Sequence, residues 1–551
     1  MAGKKSGITV FKAKKIITMD PNCPVASHVA VHEGKILAVG GKHCADAWAD
    51  HFGGKVDHDD RFKKHVLTPG FVEGHAHMMA GAMWEYFYAG YQDRTDPDGK
   101  LWPGLDSADA VTAGLRKAAE SLADGKPVIA WGFDPIFLTS ERLNRKHLDR
   151  VSKDRPVVVM HSNFHLMTVN SKALELAGYD RNTNLEGMAR FPDGEPNGEL
   201  QEMAVMFPVM RRLGIDFRAL ARTERAMRGF ARTAMRVGVT TSTDLFSELP
   251  EDDLAGLLAV TGAHDFQLRI VPALNGITEP AAEVAKRVVE LRKRSTDRLR
   301  LGAVKLMADG SIQGYTGRLK WPGYITGHEN GIWNTPPARL KEQIIALHAA
   351  GVQMHIHVNG DEASEAALDA LEEAQARHPR FDHRHVLQHC QMADEAQFRR
   401  MAALGVCVNL FANHIWYFGD QHYERTMGPD KAMRIDACGS ALRHGVPLAI
   451  HSDAPVTPMG PLHVAWCAVN RLTPSGRVLG EDQRISVADA LHALTLGAAY
   501  TLKLDGEIGS IEIGKQADFA ILEGDPTKVK PAELRDIGVA GTMMGGREFL
   551  V

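Results

Sequence analysis

Six cysteines in 551 residues (Cys23, Cys44, Cys390, Cys407, Cys438 and Cys467) are too few and too scattered to frame a disulfide-stapled fold, and none belongs to a Cys-x-x-Cys pair. In a chain of this length the pattern reads as reduced intracellular thiols. No uncharged run approaches the ~20 residues of a membrane-spanning helix. The charged opening residues 1–7 lead into no apolar segment of the secretory kind. Neither sign of charge dominates: 64 Lys and Arg stand against 68 Asp and Glu, a formal net charge of -4. That balance argues against nucleic acid or an anionic membrane as partner. The absences together point to a cytoplasmic globular protein.

What is present is the composition of an ordinary soluble enzyme, 44% hydrophobic and 24% charged. The chain is too long for one small core, so a large domain with a satellite is expected. The 52 glycines fit many turns between short elements.

Both ends read as β-structure. Residues 8–66 hold short β-branched runs such as Lys15-Ile-Ile-Thr-Met and Lys35-Ile-Leu-Ala-Val-Gly, separated by Pro, Asn or Gly signals. The last 45 or so residues share that texture, as in Ala517-Asp-Phe-Ala-Ile-Leu. Each group is too small to bury a face alone, so one small β-sandwich is expected from residues 1–67 and 504–551.

Between them, short apolar runs alternate with helical stretches. Strand candidates begin at Val157, Val239, Gln267, Leu301, Val352, Arg384, Val406 and Leu448. Helical spacing marks 110–124, 218–236, 281–294, 339–350, 361–377, 393–404 and 486–502. About eight strand–helix repeats predict an α/β fold, a (β/α)8 TIM-like barrel over 68–503, with functional groups at strand C-terminal ends. The stretch 80–235 exceeds any simple barrel loop and is expected to be an insert over the barrel mouth. Its aromatics, Trp84 among them, either shape an apolar pocket or pack the insert's own core.

The clearest chemical signal is Thr68-Pro69-Gly70-Phe71-Val72-Glu73-Gly74-His75-Ala76-His77. On a strand, residues two apart project to one face, so His75 and His77 can aim two imidazoles at one point. Two satisfied histidines near a turn would look the same, and the partners downstream decide. Lys305 interrupts an apolar strand, where an unpaired ammonium is costly and a neutral amine is reactive. His355 and His357 repeat the His-x-His spacing, His389 closes Val386-Leu-Gln-His, and Asp453 closes Leu448-Ala-Ile-His-Ser-Asp. Imidazoles with a carboxylate at neighbouring strand ends suit Zn or a similar divalent metal.

These residues carry a resemblance. From the Ala30–Gly40 hairpin to Gly509-Ser-Ile-Glu-Ile-Gly-Lys-Gln-Ala-Asp, nearly the whole chain resembles the amidohydrolase superfamily of metal-dependent hydrolases. It is most similar to the long-insert branch that includes N-substituted formamide deformylases. The marks of that branch are Phe164-His-Leu-Met-Thr-Val-Asn-Ser-Lys, Asp193-Gly-Glu-Pro-Asn-Gly-Glu-Leu, Val304-Lys-Leu-Met-Ala-Asp-Gly-Ser, His357-Val-Asn-Gly-Asp-Glu-Ala and Ser452-Asp-Ala-Pro-Val.

The resemblance implies that His75, His77 and Asp453 bind one metal and that His357 and His389 bind a second. Lys305, carboxylated on its amine, would bridge the two. The implied cofactor is a pair of Zn2+ ions, with another divalent metal as the alternative. Asp453 doubles as the proton acceptor, while His165, Trp84 and Asp309 are expected to contact substrate. The sequence departs from the family pattern at Glu73 (usually Asp), at Gln313-Gly-Tyr-Thr-Gly and at His451 (usually Gly).

The expected activity is hydrolysis of an amide-type C–N bond (formamide, N-acyl or cyclic amide) by metal-activated hydroxide. The expected partner is a small amide, and the homo-oligomeric state is left open. Two rivals are a single-metal deaminase on the same barrel, which would need a Glu just after the strand-5 histidine, and a non-catalytic scaffold.

Overall fold

A computed structural model describes residues 7–52, 55–138 and 142–551. The charged residues 1–6, read above as free of a secretory signal, lie outside the described residues. Eight strands make one parallel sheet that curls into a barrel: β1 (Phe71–Glu73), β2 (Val239–Ser247), β3 (Arg269–Asn275), β4 (Ala303–Met307), β5 (Gln353–Val358), β6 (Val386–His389), β7 (Cys407–Leu410) and β8 (Leu448–Ile450). Each pairs in parallel with its neighbours in this order. Between β1 and β8 there is a single bridge, Ala76 to Ala454. Two bonds flank it, from His77 N to Ala454 O at 2.8 Å and from Asp453 N to His75 O at 3.1 Å. The barrel is nearly closed, and its seam runs through residues singled out above.

Parallel strands covered on both faces are apolar throughout rather than alternating, and β5 to β8 are buried at every position. Helices such as Ala281–Arg292, Pro337–Ala349 and Asp361–Arg377 pack outside and share one core with the strands. The stretch 218–236 is two helices, Phe217–Ala221 and Glu224–Arg236, because Thr223 accepts from Ala226 N and starts a new helix. The stretch 486–502 likewise divides into Val487–Ala493 and Leu496–Thr501. No helix among the described residues is long and apolar enough to cross a membrane.

Strands from both ends of the chain share a second sheet. Val66–Pro69 pairs antiparallel with Phe519–Leu522 on one side and parallel with Ile8–Ile17 on the other. Phe11, Ile16, Val29, Leu67, Phe519 and Ile521 bury its apolar face. Gly70 then carries the chain straight into β1; a Cβ there would lie 2.0 Å from Thr240 Oγ1, so only glycine fits.

Between β1 and β2 the chain builds a third sheet of six strands, from Phe87–Tyr88 to Pro196–Gln201, with cores of its own. This corrects one reading of the sequence. Val157–His161 belongs to this sheet and not to the barrel, and the remaining barrel strand is β1. Three residues are too few to show a period, while an apolar run looks alike in either sheet.

Candidate metal centre

His75 and His77 follow β1 at the C-terminal mouth of the barrel, His77 on extended backbone. His75 Nδ1 donates to Gln388 Oε1 at 2.7 Å and His77 Nδ1 to Leu245 O at 2.8 Å. Each ring is thereby locked with Nε2 turned inward, the arrangement typical of metal-binding histidines. Both Nε2 atoms stand 3.4 Å from Asp453 Oδ1. Asp453 follows β8 at φ 51°, a left-handed backbone that non-glycine residues adopt mainly at functional sites. Glu73 braces it from behind, accepting Ser452 Oγ at 2.7 Å and Ser452 N at 3.2 Å. Burial pushes the Glu73 carboxyl up to about 7.

Lys305 rises from β4 beside this group, 2% exposed, with Nζ 3.4 Å from His75 Nε2. Burial pulls its amine down to about 7, partly opposed by the Asp453 charge. His357 is the last residue but one of β5 and His389 ends β6, their ring centres 4.7 Å apart. The His357 Nε2–H donates to Gly310 O at 3.1 Å, leaving Nδ1 as a donor atom. His389 Nδ1 lies 3.9 Å from Asp453 Oδ2. Burial holds His75, His357 and His389 well below the ordinary imidazole range, so they are neutral and their lone pairs are available.

All six residues line one cavity of about 550 Å³. His389 Nδ1 and Asp453 Oδ1 are buried and have no hydrogen-bond partner among the described residues. Buried polar atoms are nearly always satisfied, and a cation among these nitrogens and oxygens would satisfy both. His75, His77 and Asp453 present ligand atoms within 4.8 Å of one another, as do His75, His389 and His451. The donor set, neutral imidazoles with a carboxylate and a buried amine, fits a divalent metal.

The three expected substrate contacts fare differently. His165 lines the cavity, its ring centre 5.1 Å from that of His357. Its Nδ1 meets Glu202 Oε2 at 2.8 Å. Burial pulls His165 down, but the Glu202 carboxylate outweighs it and the net shift is upward. Trp84 does not line the cavity: its indole N–H donates to Ala80 O, and its ring packs edge-on against Trp131 in the core of the third sheet. Asp309 is fully buried behind His357 and accepts from Arg318 N, Asn359 N and Gly360 N, each at 2.9 Å. It organises the loop after β5, and burial pushes it up to about 7.

Of the His355/His357 pair, His355 stays deeper in the barrel and accepts from Gln388 Nε2 at 2.8 Å. The sequence reading passed over Gln388 and Glu202, because a buried amide or acid beside a ligand has no spacing of its own. His451 lies between the rings of His75 and Phe411, nearly parallel to both, with centroids 4.7 and 4.9 Å away. It is fully buried, and neither ring nitrogen has a hydrogen-bond partner among the described residues.

A family model described as amidohydrolase family matches residues 63–549. The N-substituted formamide deformylase of Arthrobacter pascens is 25% identical over 558 residues, covering 96% of this chain and 96% of that protein. Protein LONG AFTER FAR-RED 3 of Arabidopsis thaliana is 26% identical over 553 residues, covering 97% of this chain and 90% of that one. Among solved structures, an uncharacterized metal-dependent hydrolase from Pyrococcus horikoshii superposes with a TM-score of 0.71 at 21% identity, covering 95% of this chain and 99% of that chain.

Proposed function

Since the chain belongs to the amidohydrolase family, whose model spans residues 63–549, we propose that it hydrolyses an amide-type C–N bond in a small molecule: a formamide, an N-acyl compound or a cyclic amide. The observation that carries the proposal is the convergence of four imidazoles, one carboxylate and one buried amine on a single cavity with two orphaned ligand atoms. His75, His77 and Asp453 would hold one divalent metal, His357 and His389 another. Lys305, as a carbamate, would serve both and add negative charge among the cations. When bound, zinc-type ions acidify water to a pKa near ~7 and polarise a carbonyl.

The chain's own groups complete the reaction. Asp453 Oδ1 accepts the proton of the attacking water and passes it to the leaving nitrogen, so the C–N bond breaks as a C–O bond forms. His165, kept a donor by Glu202, presents its second ring nitrogen to the substrate oxygen. The similarity to a formamide deformylase supports the choice of bond.

Two observations weigh against deamination. Asn359, two residues after His357, donates to Gly310 O at 2.8 Å and is no acid. Glu362 is engaged by Arg318 at 3.0 and 3.2 Å. The test is a screen of formamides, N-acyl amino acids and lactams against protein carrying stoichiometric metal. Amine and carboxylic acid released together are expected; ammonia from purines or pyrimidines with no amide cleaved would overturn the proposal.

A further inference from the structure

The cavity has two unequal sides. One wall comes from α1 (Met203–Leu213). Met203, Met206, Phe207 and Met210 fall at three- and four-residue spacing, so one helix stripe faces the cavity. Met160 and Phe164 continue this wall toward the cluster. Methionine side chains are unbranched and adaptable and suit flexible apolar groups.

Charged groups border this channel, and all but Arg211 at its rim are engaged with one another or with the backbone. Arg218 meets Glu248 at 2.8 Å and covers the Phe207 and Phe246 rings, while Arg222 meets Asp253 at 2.7 Å. Asp244 accepts from Met78 N and Ser247 Oγ. Asp216 caps α2 (Phe217–Ala221). Arg211 is exposed at the rim. A charge held deep against the methionine stripe, short of exposed Arg211 and Asp216 at the rim, would be desolvated without a free counter-ion, which is costly.

A second void of about 20 Å³ adjoins the first at Asn163, His165, His389 and Asp453 and is bordered otherwise by Ser311, Asn359 and His414. That volume holds roughly one water-sized group. Asn359 Nδ2 is committed to Gly310 O, so its Oδ1 is fixed as an acceptor; that atom is buried without a partner.

From this asymmetry we infer that the substrate is an uncharged amide with one long, flexible lipophilic arm along α1 and a second arm of at most about one heavy atom in the polar void. The inference rests on the amide-hydrolase reading and narrows it. Two kinds of molecule share this chemistry. In an N-alkylformamide the formyl carbon is the reacting centre, so its hydrogen alone faces the void, and the amine carries the tail. In an alkanamide the NH2 faces Asn359 Oδ1 and leaves as ammonia. In both, water adds oxygen to the carbonyl carbon, the C–N bond breaks and the proton goes to nitrogen.

The test measures Kd for metal-loaded Asp453→Asn, and kcat/KM for metal-loaded wild type, across ethyl to decyl members of both series. Kd should tighten about threefold per added methylene until the channel is full. A terminal carboxylate or ammonium should weaken binding about a hundredfold. Met210→Trp, at a half-buried position, should move the length limit to shorter chains, and Phe207→Ala should lengthen it. The series with the higher kcat/KM identifies which atom takes the void.

A flat Kd along the series overturns the inference, and cleavage of short formamides would then leave the amide-hydrolase reading intact. Equal cleavage of N-decylbenzamide and N-decylformamide overturns the small-arm half. Length-dependent binding with no amide cleaved sinks the hydrolase reading while upholding the lipophilic arm.

Discussion

His75 on the loop after β1 and Gln388 on β6 are joined by a 2.7 Å hydrogen bond from Nδ1–H to Oε1. The same amide donates to His355 Nδ1 at 2.8 Å and accepts from Asn409 Nδ2 at 3.0 Å. Its orientation is therefore fixed by three partners, and it fixes which nitrogen His75 offers to the cavity. Gln388→Leu should leave the fold intact by circular dichroism and weaken zinc binding about 10–100-fold. Chelator competition measures this; unchanged affinity would remove Gln388 from the site.

Asp453→Asn keeps an oxygen next to His75 and His77 but removes the proton acceptor. Metal content by elemental analysis should stay largely intact while kcat falls about a thousandfold. Near-normal turnover would refute the role assigned to Asp453.

Lys305 has no ion-pair partner within 4.0 Å among the described residues, and its amine is buried beside His75. Reconstitution with metal and 13C-bicarbonate should give a carbamate carbon signal that Lys305→Ala lacks. The variant should lose at least about a hundredfold in kcat, with partial return on adding a short carboxylic acid. A bicarbonate-independent enzyme with no such signal would show that Lys305 acts as a plain amine.

His161 lies in the third sheet, away from the cluster, with Nε2 2.9 Å from Thr168 Oγ1. Burial holds it down to about 3, against ~6.5 in an unfolded chain. Between these values the unfolded state binds the extra proton, so stability conferred by the neutral ring is present above ~6.5 and lost as pH falls toward 3. Trp84 and Trp131 pack in the same sheet's core, so their fluorescence should report an acid transition in that window. Replacing His161 with Phe should flatten this stretch of the stability profile; an unaltered slope would assign the transition to other groups.

The candidate ligands were legible in the sequence because a parallel barrel exposes polar residues only where apolar strands end, and His75, His77, Lys305, His357, His389 and Asp453 each interrupt or terminate such a run. Trp84 was not legible. Its apolar ring is equally suited to a cavity wall or a core, and only the packing against Trp131 decides between them. Glu202 escaped notice because it follows a strand at φ 69°, where backbone geometry and not side-chain spacing turns it toward His165. The channel's methionines were equally silent, since a helical apolar stripe reads as core until a void appears beside it.

The antiparallel register of Val66–Pro69 against Phe519–Leu522 sets a timetable for the molecule's birth. The strand that leads into the first two imidazoles is made some 450 residues before one of its neighbours. Nascent chains stalled short of that point would leave Val66–Pro69, the strand before β1, with an open edge. The approach to His75 and His77 is thereby tied to a strand made after every strand of the barrel.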